Sequence, residues 1–129
     1  MEILGLRTTI YPAPDLDATK AWFSELLGQE PYFDQPFYVG FNVGGYELGL
    51  DPDADVDAGA QSYWGVPRAQ AAYDELLERG CSSVLEPTHT GEGIWVARVS
   101  DPFGNIIGII ENPVFELPKV APPSPGPGR

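Results

Sequence analysis

Two stretches of the chain carry apolar residues at the spacing of an amphipathic helix, about 3.6 positions per turn. The first stripe consists of Thr19, Trp22, Phe23, Leu26 and Leu27, and the second consists of Ala69, Ala72, Tyr73, Leu76 and Leu77. Asp15 or Asp17 suits the N-cap of the first helix, and Pro67 suits the first turn of the second. Gly28 and Gly80 follow shortly after the stripes, where glycine commonly ends a helix. The pattern therefore predicts two helices, each with one face against a sheet.

Strand signals surround each predicted helix in the same order, with one strand before it and three after it. These segments are rich in β-branched and aromatic residues and are separated by turn residues such as Gly44 and Gly45. The eight predicted strands are residues 4–11, 31–33, 37–43, 46–50, 61–66, 81–85, 94–99 and 106–110. The only histidine, His89, is predicted to lie in a solvated loop before the seventh strand.

The two helices also resemble each other in sequence. Residues 21–27 read AWFSELL and residues 71–77 read AAYDELL, so most positions are identical or exchange one aromatic residue for another. A repeat of this length indicates a duplicated supersecondary unit. We therefore predict one domain, residues 1–112, made of two β-α-β-β-β modules at about 3–50 and 61–112. Residues 113–129 are rich in proline and glycine and are predicted to form a disordered tail.

The composition excludes several classes of partner. The chain has 129 residues with 19 acidic and 7 basic side chains, a formal net charge of -12. Because such a field repels polyanions, neither nucleic acid nor an anionic membrane is expected as a partner. No apolar run approaches the roughly 20 residues that span a bilayer. Cys81 is the only cysteine, and no signal peptide is visible, so we expect a cytoplasmic protein.

Particular motifs carry a resemblance to a known superfamily. They are Asp15-Leu16 followed by Ala21-Trp22-Phe23 and Leu27-Gly28, and the turn Asp101-Pro102-Phe103-Gly104-Asn105 that leads into an apolar strand. With the internal repeat, the chain resembles the glyoxalase, bleomycin-resistance and extradiol-dioxygenase superfamily, the vicinal oxygen chelate proteins. The resemblance implies an α+β fold in which the paired modules form a cup-shaped, eight-stranded mixed sheet. It also implies a cup that holds either a divalent metal or an organic ligand.

The same resemblance places the superfamily's four metal-ligand positions in this chain. They fall on Thr8, Glu47, Gln61 and Gly108. Glu47 and Gln61 are weak candidates for metal ligands, whereas threonine is a poor donor and glycine has no side chain. We therefore expect no cofactor and regard a divalent metal as the less favoured occupant.

Strand alternation predicts which residues line the cup. Glu47 and Gly49 face it on one strand, and Gly108 faces it on the matching strand of the second module, with both glycines expected to leave space for a ligand. Tyr63 is expected to share a face with Gln61. Arg98 shares a face with Ile94 and Val96, and the resemblance implies that it lies at a ligand-contacting position. The predicted ligand-binding residues are thus Thr8, Glu47, Gln61, Tyr63, Arg98 and Gly108.

Two interpretations of the charged pair remain open at this point. Glu47 and Arg98 either serve a ligand or simply pair with each other, because buried charges are normally paired. Because Thr8 and Gly108 do not supply metal ligands, the favoured function is metal-independent binding of a small organic molecule, as in the bleomycin-sequestering proteins. The alternative is an enzyme, either a metal-dependent lyase or dioxygenase or a metal-free catalyst with Glu47 as base. Trp64 and Trp95 are expected in the core or in the interface of a homodimer.

Overall fold

The computed structural model describes residues 1–115, so most of the predicted tail lies outside the described residues. The strands are β1 (Gly5–Pro12), β2 (Phe33–Gln35), β3 (Tyr38–Val43), β4 (Tyr46–Asp51), β5 (Gln61–Gly65), β6 (Ser82–Gly91), β7 (Ile94–Ser100) and β8 (Ile106–Glu111). The helices are α1 (Leu16–Leu27) and α2 (Ala69–Glu78), and a 3-10 helical turn, Val56–Ala58, lies between β4 and β5. Each half of the chain therefore has the predicted β-α-β-β-β order.

All eight strands form one open, mixed sheet in the order β2-β3-β4-β1-β5-β8-β7-β6. Within each module the first strand pairs in parallel with the last, β1 with β4 and β5 with β8. The two modules meet where β1 pairs antiparallel with β5. This arrangement confirms the predicted α+β fold of two repeated modules.

The two helices cover the same face of the sheet, and each has its own apolar core. Below α1 the fully buried side chains include Phe41 and Leu50, against which Phe23 and Leu27 of the helix pack. Below α2 the second core consists of Val66, Ala72, Tyr73, Ala97, Val99 and Ile109. No helix from residues 1–115 lies on the opposite face of the sheet, and we call this face the cup face.

Helix α1 begins and ends as the sequence predicts. The Asp15 carboxylate accepts a hydrogen bond from the Ala18 amide, and Gly28 adopts a left-handed conformation with φ of 66°. The buried stripe is narrower than predicted, because Trp22 and Leu26 are 61% and 62% exposed. They lie one turn apart on the outer side of the helix, where the sheet does not reach.

Helix α2 is capped from a distant strand rather than from its own sequence. The Glu111 carboxylate, at the end of β8, accepts a hydrogen bond of 2.8 Å from the Ala69 amide. Arg68 holds the N-cap position without a side-chain bond, so Pro67 precedes the helix instead of forming its first turn. The prediction for Pro67 was wrong because local sequence does not reveal a cap supplied by another element.

Strand β6 is longer than predicted, and His89 lies within it rather than in a loop. The strand continues to Gly91 through several register shifts in its pairing with β7. It is an edge strand, which tolerates the irregular pairing and the proline at position 87. The His89 Nε2 accepts a hydrogen bond from the Gly93 amide, and the ring lies 5.0 Å from Trp95.

The turn before β8, residues 101–105, is held together by hydrogen bonds to Asp101. The Asp101 carboxylate accepts hydrogen bonds from the Phe103 and Asn105 amides and from the Asn105 side chain. These bonds, led by the one from the Asn105 side chain, lower the pKa of Asp101.

Within residues 1–115 no helix is long and apolar enough to cross a membrane.

Candidate ligand-binding cup

Five of the six predicted site residues lie in one row across the cup face. Thr8 of β1 pairs with Glu47 of β4 on one side and with Tyr63 of β5 on the other. Tyr63 pairs in turn with Gly108 of β8, and Gly108 pairs with Arg98 of β7. The row therefore crosses the junction between the two modules.

The sixth residue, Gln61, lies two positions before Tyr63, at the start of β5, and pairs with Ile10 instead of Thr8. Its side-chain amide donates a hydrogen bond of 3.0 Å to the Ser62 carbonyl. Gln61 shares the cup face with Tyr63, as predicted from alternation, but it lies outside the row that contains Glu47.

Glu47 is held by two tyrosines that the sequence reasoning did not select. The Tyr38 hydroxyl donates to one carboxylate oxygen over 2.8 Å, and the Tyr32 hydroxyl donates to the other. The pKa values of both tyrosines are raised well above their usual value. Burial is the larger cause, and the neighbouring Glu47 carboxylate is the second. Both phenols therefore remain protonated donors, and both Glu47 oxygens already accept a hydrogen bond.

Two glycines make room for this cluster. A Cβ at Gly49 would overlap the Tyr38 hydroxyl, and a Cβ at Gly40 would lie 2.9 Å from a Glu47 carboxylate oxygen. The interpretation of Gly49 as open space for a ligand was therefore wrong. Its missing side chain is used by a neighbouring tyrosine, which sequence alone does not show because the partner belongs to another strand.

The same correction applies to Gly108. A Cβ there would lie 2.6 Å from the Ser62 carbonyl oxygen and 2.7 Å from the Tyr63 ring. The Tyr63 ring thus covers Gly108, and the expected space above that glycine is already filled. Gly108 positions Tyr63 on the cup face.

Arg98 does not pair with Glu47. None of the four ion pairs within residues 1–115 includes Arg98. The two residues share a row, but β8, β5 and β1 lie between their strands. Four strand spacings of about 4.8 Å make a path of about 19 Å along the sheet, which explains why the pair does not form. The ion-pair interpretation was therefore wrong.

The surroundings of Arg98 leave part of its guanidinium unsatisfied. Its Nε is buried and has no hydrogen-bond partner in the described part of the chain. The neighbouring positions 97 and 99 point into the core under α2, which directs Arg98 to the cup face. Burial raises the pKa of the Tyr63 hydroxyl, and the charge of Arg98 acts in the opposite direction. Arg98 and Tyr63 thus lie close enough to interact electrostatically.

Comparison with known proteins identifies the family. The sequence model of the Glyoxalase/Bleomycin resistance protein/Dioxygenase superfamily matches residues 5–109. The chain belongs to this superfamily. A search of curated proteins gives no significant match.

Solved structures of the glyoxalase superfamily share the fold at low sequence identity. A methylmalonyl-CoA epimerase in complex with methylmalonyl-CoA and NH4+ has a TM-score of 0.70 at 16% identity, over 91% of this chain and 100% of that one. A superfamily member from Vibrio splendidus 12B01 has a TM-score of 0.63 at 18% identity, over 83% and 99% of the two chains. A Mn(II)-bound glyoxalase from Novosphingobium aromaticivorans has a TM-score of 0.65 at 16% identity, over 93% of this chain and 42% of that one. These likenesses show the fold alone.

The four superfamily metal positions do not supply a matching donor set here. Glu47 is the only carboxylate among them, and both its oxygens accept phenol hydrogen bonds. The position of Gly108 is covered by the Tyr63 ring, and Gln61 lies outside the row of Glu47. In the described residues no three His, Cys, Asp or Glu side chains are grouped closely enough to hold a metal ion. The residues present therefore do not fit the metal that the superfamily implies.

A depression of about 610 Å³ lies outside the cup, beside the start of α1. Its acidic side chains already have structural partners, since Asp15 caps α1 and Asp34 pairs with Lys20 at 3.0 Å. It is open, and we assign no function to it. The cup face remains the candidate site because its unsatisfied guanidinium lies there.

Sequence reasoning missed three residues of the cup, Tyr32, Tyr38 and Arg7. Alternation along β3 could have placed Tyr38 with Gly40 on the cup face, since the strand itself was predicted. Tyr32 lies before β2, where alternation gives no guidance. Arg7 reaches the cup face through a register shift in β1, which a regular period of two cannot reveal.

Proposed function

We propose that this protein binds a small organic molecule in its cup without a metal ion. The observation that carries the proposal is the buried Arg98 Nε without a hydrogen-bond partner among residues 1–115. Leaving a buried polar group unsatisfied costs about 1–3 kcal/mol, and more for a charged group. Such a donor is expected to meet an acceptor in the working protein. Ile94 and Val96 on the same strand face offer apolar contact beside it.

The donor set supports the metal-independent part of the proposal. A divalent ion needs several N or O donors that converge with free lone pairs. Glu47 is the only carboxylate at the four positions, the phenol hydrogen bonds on both its oxygens weaken it as a metal donor, and position 108 offers no donor. The first expected result is that elemental analysis of the purified protein finds no stoichiometric Zn, Ni, Fe or Mn. One equivalent of any of these that is lost in Glu47→Ala, but kept in the exposed control Glu78→Ala, would overturn metal independence.

The alternative is a metal-dependent lyase or dioxygenase. The Mn(II)-bound glyoxalase shares the fold of this chain, and the scaffold supports many chemistries. That alternative needs metal ligands from outside the four superfamily positions. In a metal-free enzyme with Glu47 as base, the two phenol hydrogen bonds would stabilise the carboxylate and make it a weaker base. We therefore place binding ahead of catalysis.

Ligand binding is tested by a thermal-shift screen with small aromatic and amphipathic compounds, because a bound ligand raises stability by mass action. Val96→Phe adds bulk on the cup face beside Arg98, whereas Val84→Phe adds the same bulk at an exposed position of β6. We expect hits that stabilise the native chain and Val84→Phe but not Val96→Phe. Hits that stabilise all three proteins equally would place the ligand outside the cup.

We also propose that the protein is a homodimer in the cytoplasm. Trp64 and Trp95 are each 39% exposed, so neither belongs to the core. Leu6 pairs with Trp64 on the face that carries the helices and is also exposed. Exposed aromatic and apolar groups of this kind favour an interface. The cytoplasmic location rests on the single cysteine, Cys81.

A further inference from the structure

The basic side chains of this acidic protein divide into two groups. Within residues 1–115, the three on the outside each lie within 4.0 Å of a carboxylate: Lys20 with Asp34, Arg68 with Glu111, and Arg79 with Glu75. The remaining two, Arg7 and Arg98, take part in none of the ion pairs of this region. The chain has 19 acidic residues, so carboxylates are abundant. Among the basic residues that the structure describes, the two without a carboxylate partner are the two that reach the cup.

Arg7 enters the cup through the irregularity in β1. The register between β1 and β5 shifts between Leu6 and Thr8, so Arg7 is the extra residue. Its guanidinium group lies over Gly65, where a Cβ would be 2.8 Å from the Arg7 Nε. Gly65 alternates in phase with Tyr63, which places the Arg7 side chain on the cup face.

The charge of Arg7 is only partly compensated by the groups around it. The residue is 8% exposed. One Nη donates to the Leu6 carbonyl over 3.3 Å, and the Phe115 ring lies 4.0 Å from the guanidinium carbon. A cation–π contact and one neutral acceptor leave most of its five donors available.

Arg7 and Arg98 both approach cup-face residues of β5, from opposite sides of that strand. Arg7 lies over Gly65, and Arg98 acts on the Tyr63 hydroxyl, two residues away. Between them the sheet supplies Ile110, which pairs with Gly65, and Val96, which pairs with Ile110. The cup face thus carries two positive charges on either side of an apolar floor.

The negative charges on the cup face lie on the other side of the row. Glu47 belongs to β4, four strand spacings from Arg98, and its oxygens are occupied by Tyr32 and Tyr38. Asp51, at the end of β4, raises the pKa of Tyr63 through its charge, and its carboxylate accepts from the Asp53 amide. An incoming anion is therefore attracted to the β5 and β7 side of the cup and repelled from β4.

We infer that the ligand of the cup is an organic anion with an apolar or aromatic group and a carboxylate. Arg98 and Tyr63 bind the carboxylate, and the charge of Arg7 attracts it. The inference rests on the proposed function and names its ligand class. Arginine binds a carboxylate through parallel N–H donors, which explains why an unpaired guanidinium is useful here. Tyr63 remains protonated at neutral pH because burial raises its pKa, so its hydroxyl can donate as well.

The test uses three matched probe series on the full chain. These are benzoate, phenylacetate and 4-hydroxybenzoate, their neutral amides, and the corresponding benzylic amines. Dissociation constants are measured by chemical-shift titration on the native protein, Arg98→Met and Arg79→Met. Arg79→Met is the control because it removes the same charge from an exposed site.

We expect the carboxylates to bind about tenfold or more tightly than their amides, since hydrogen bonds to charged groups are about twice as strong as neutral ones. Arg98→Met should reduce the carboxylates to the level of the amides, and Arg79→Met should leave the preference intact. If Arg98→Met does not fold, Arg98→Lys decides the question. Lysine keeps the charge without the planar fork, so the preference should shrink severalfold.

Each other outcome overturns a defined part of the argument. Amides or amines that bind as tightly as carboxylates would overturn the anion inference and leave the proposed function standing. A carboxylate preference that survives in Arg98→Met, or is unchanged in a folded Arg98→Lys, would overturn the role of Arg98. If no probe of any charge binds, both the inference and the proposed binding function fall.

Discussion

Replacing Arg98 with methionine should not destabilise the protein in the absence of ligand. Methionine keeps the aliphatic stem that packs beside Ile94 and Val96. It removes the guanidinium, whose buried Nε has no hydrogen-bond partner among residues 1–115. This expectation is opposite to that for a paired arginine. Removing one partner of a buried ion pair strands the other charge and costs about 3–5 kcal/mol.

The magnitude follows from the unsatisfied donor. A buried polar group without a hydrogen bond costs about 1–3 kcal/mol, and the substitution relieves that cost. The net charge becomes one unit more negative, which offsets part of the gain through self-repulsion. We therefore expect the free energy of unfolding to be unchanged or to rise by up to about 2 kcal/mol.

Urea denaturation followed by tryptophan fluorescence measures this change, since the chain carries Trp22, Trp64 and Trp95. With a slope of roughly 1–3 kcal/mol per molar urea, a gain of about 2 kcal/mol would raise the midpoint by roughly 1 M. The control Arg79→Met loses one exposed ion pair, to Glu75, and should leave the urea midpoint almost unchanged. A loss of about 3 kcal/mol or more in Arg98→Met at an unchanged slope would mean that Arg98 has a carboxylate partner, and would refute the reasoning.

Three further predictions concern Tyr38, Gly108 and assembly. The folded state raises the pKa of Tyr38 above its ordinary value of 10.0. The stability that the protonated Tyr38 contributes is therefore fully present below pH 10. It is lost as the pH rises further, by about 1.4 kcal/mol per pH unit. Tyr38→Phe should make this slope shallower in urea unfolding measured between pH 9 and pH 11, while Tyr32 and Tyr63, whose pKa values are also raised, keep their share of it. A slope equal to that of the native chain would contradict the buried Tyr38 phenol. Gly108→Ala should destabilise by about 1–3 kcal/mol in thermal melts, because its Cβ would press on the Ser62 carbonyl, and an unchanged melt would show that the Tyr63 ring can move. Sedimentation should find a dimer, and a species of 14.0 kDa would rule that out.

The placement of the elements was determined by the local sequence. The helix stripes, the Asp15 cap and Gly28 predicted α1 to its ends, because capping and the left-handed glycine act within one turn of chain. The internal repeat predicted two equal modules, since similar local patterns form similar supersecondary units. Alternation along β7 also placed Arg98 on the cup face, as the structure shows. These features depend on neighbours a few residues apart, which the sequence contains directly.

What the charged and polar side chains contact was decided only by the tertiary structure. The sequence placed Glu47 and Arg98 on one face of the sheet, but it did not show how many strands lie between them. The strand order separates them by four strand spacings and so excludes their pairing. Glu111 caps a helix 42 residues earlier in the chain, and no local signal announces that bond.

The bulge at Arg7 and the position of Tyr38 above Gly49 were also decided by the tertiary structure. Each depends on register between segments distant in sequence, and a shift of one residue would turn the side chain to the other face of the sheet. The sequence by itself therefore determined the scaffold and its cup face. The partners within the cup, and the finding that Arg7 and Arg98 form no ion pair with residues 1–115, required the three-dimensional arrangement of the strands.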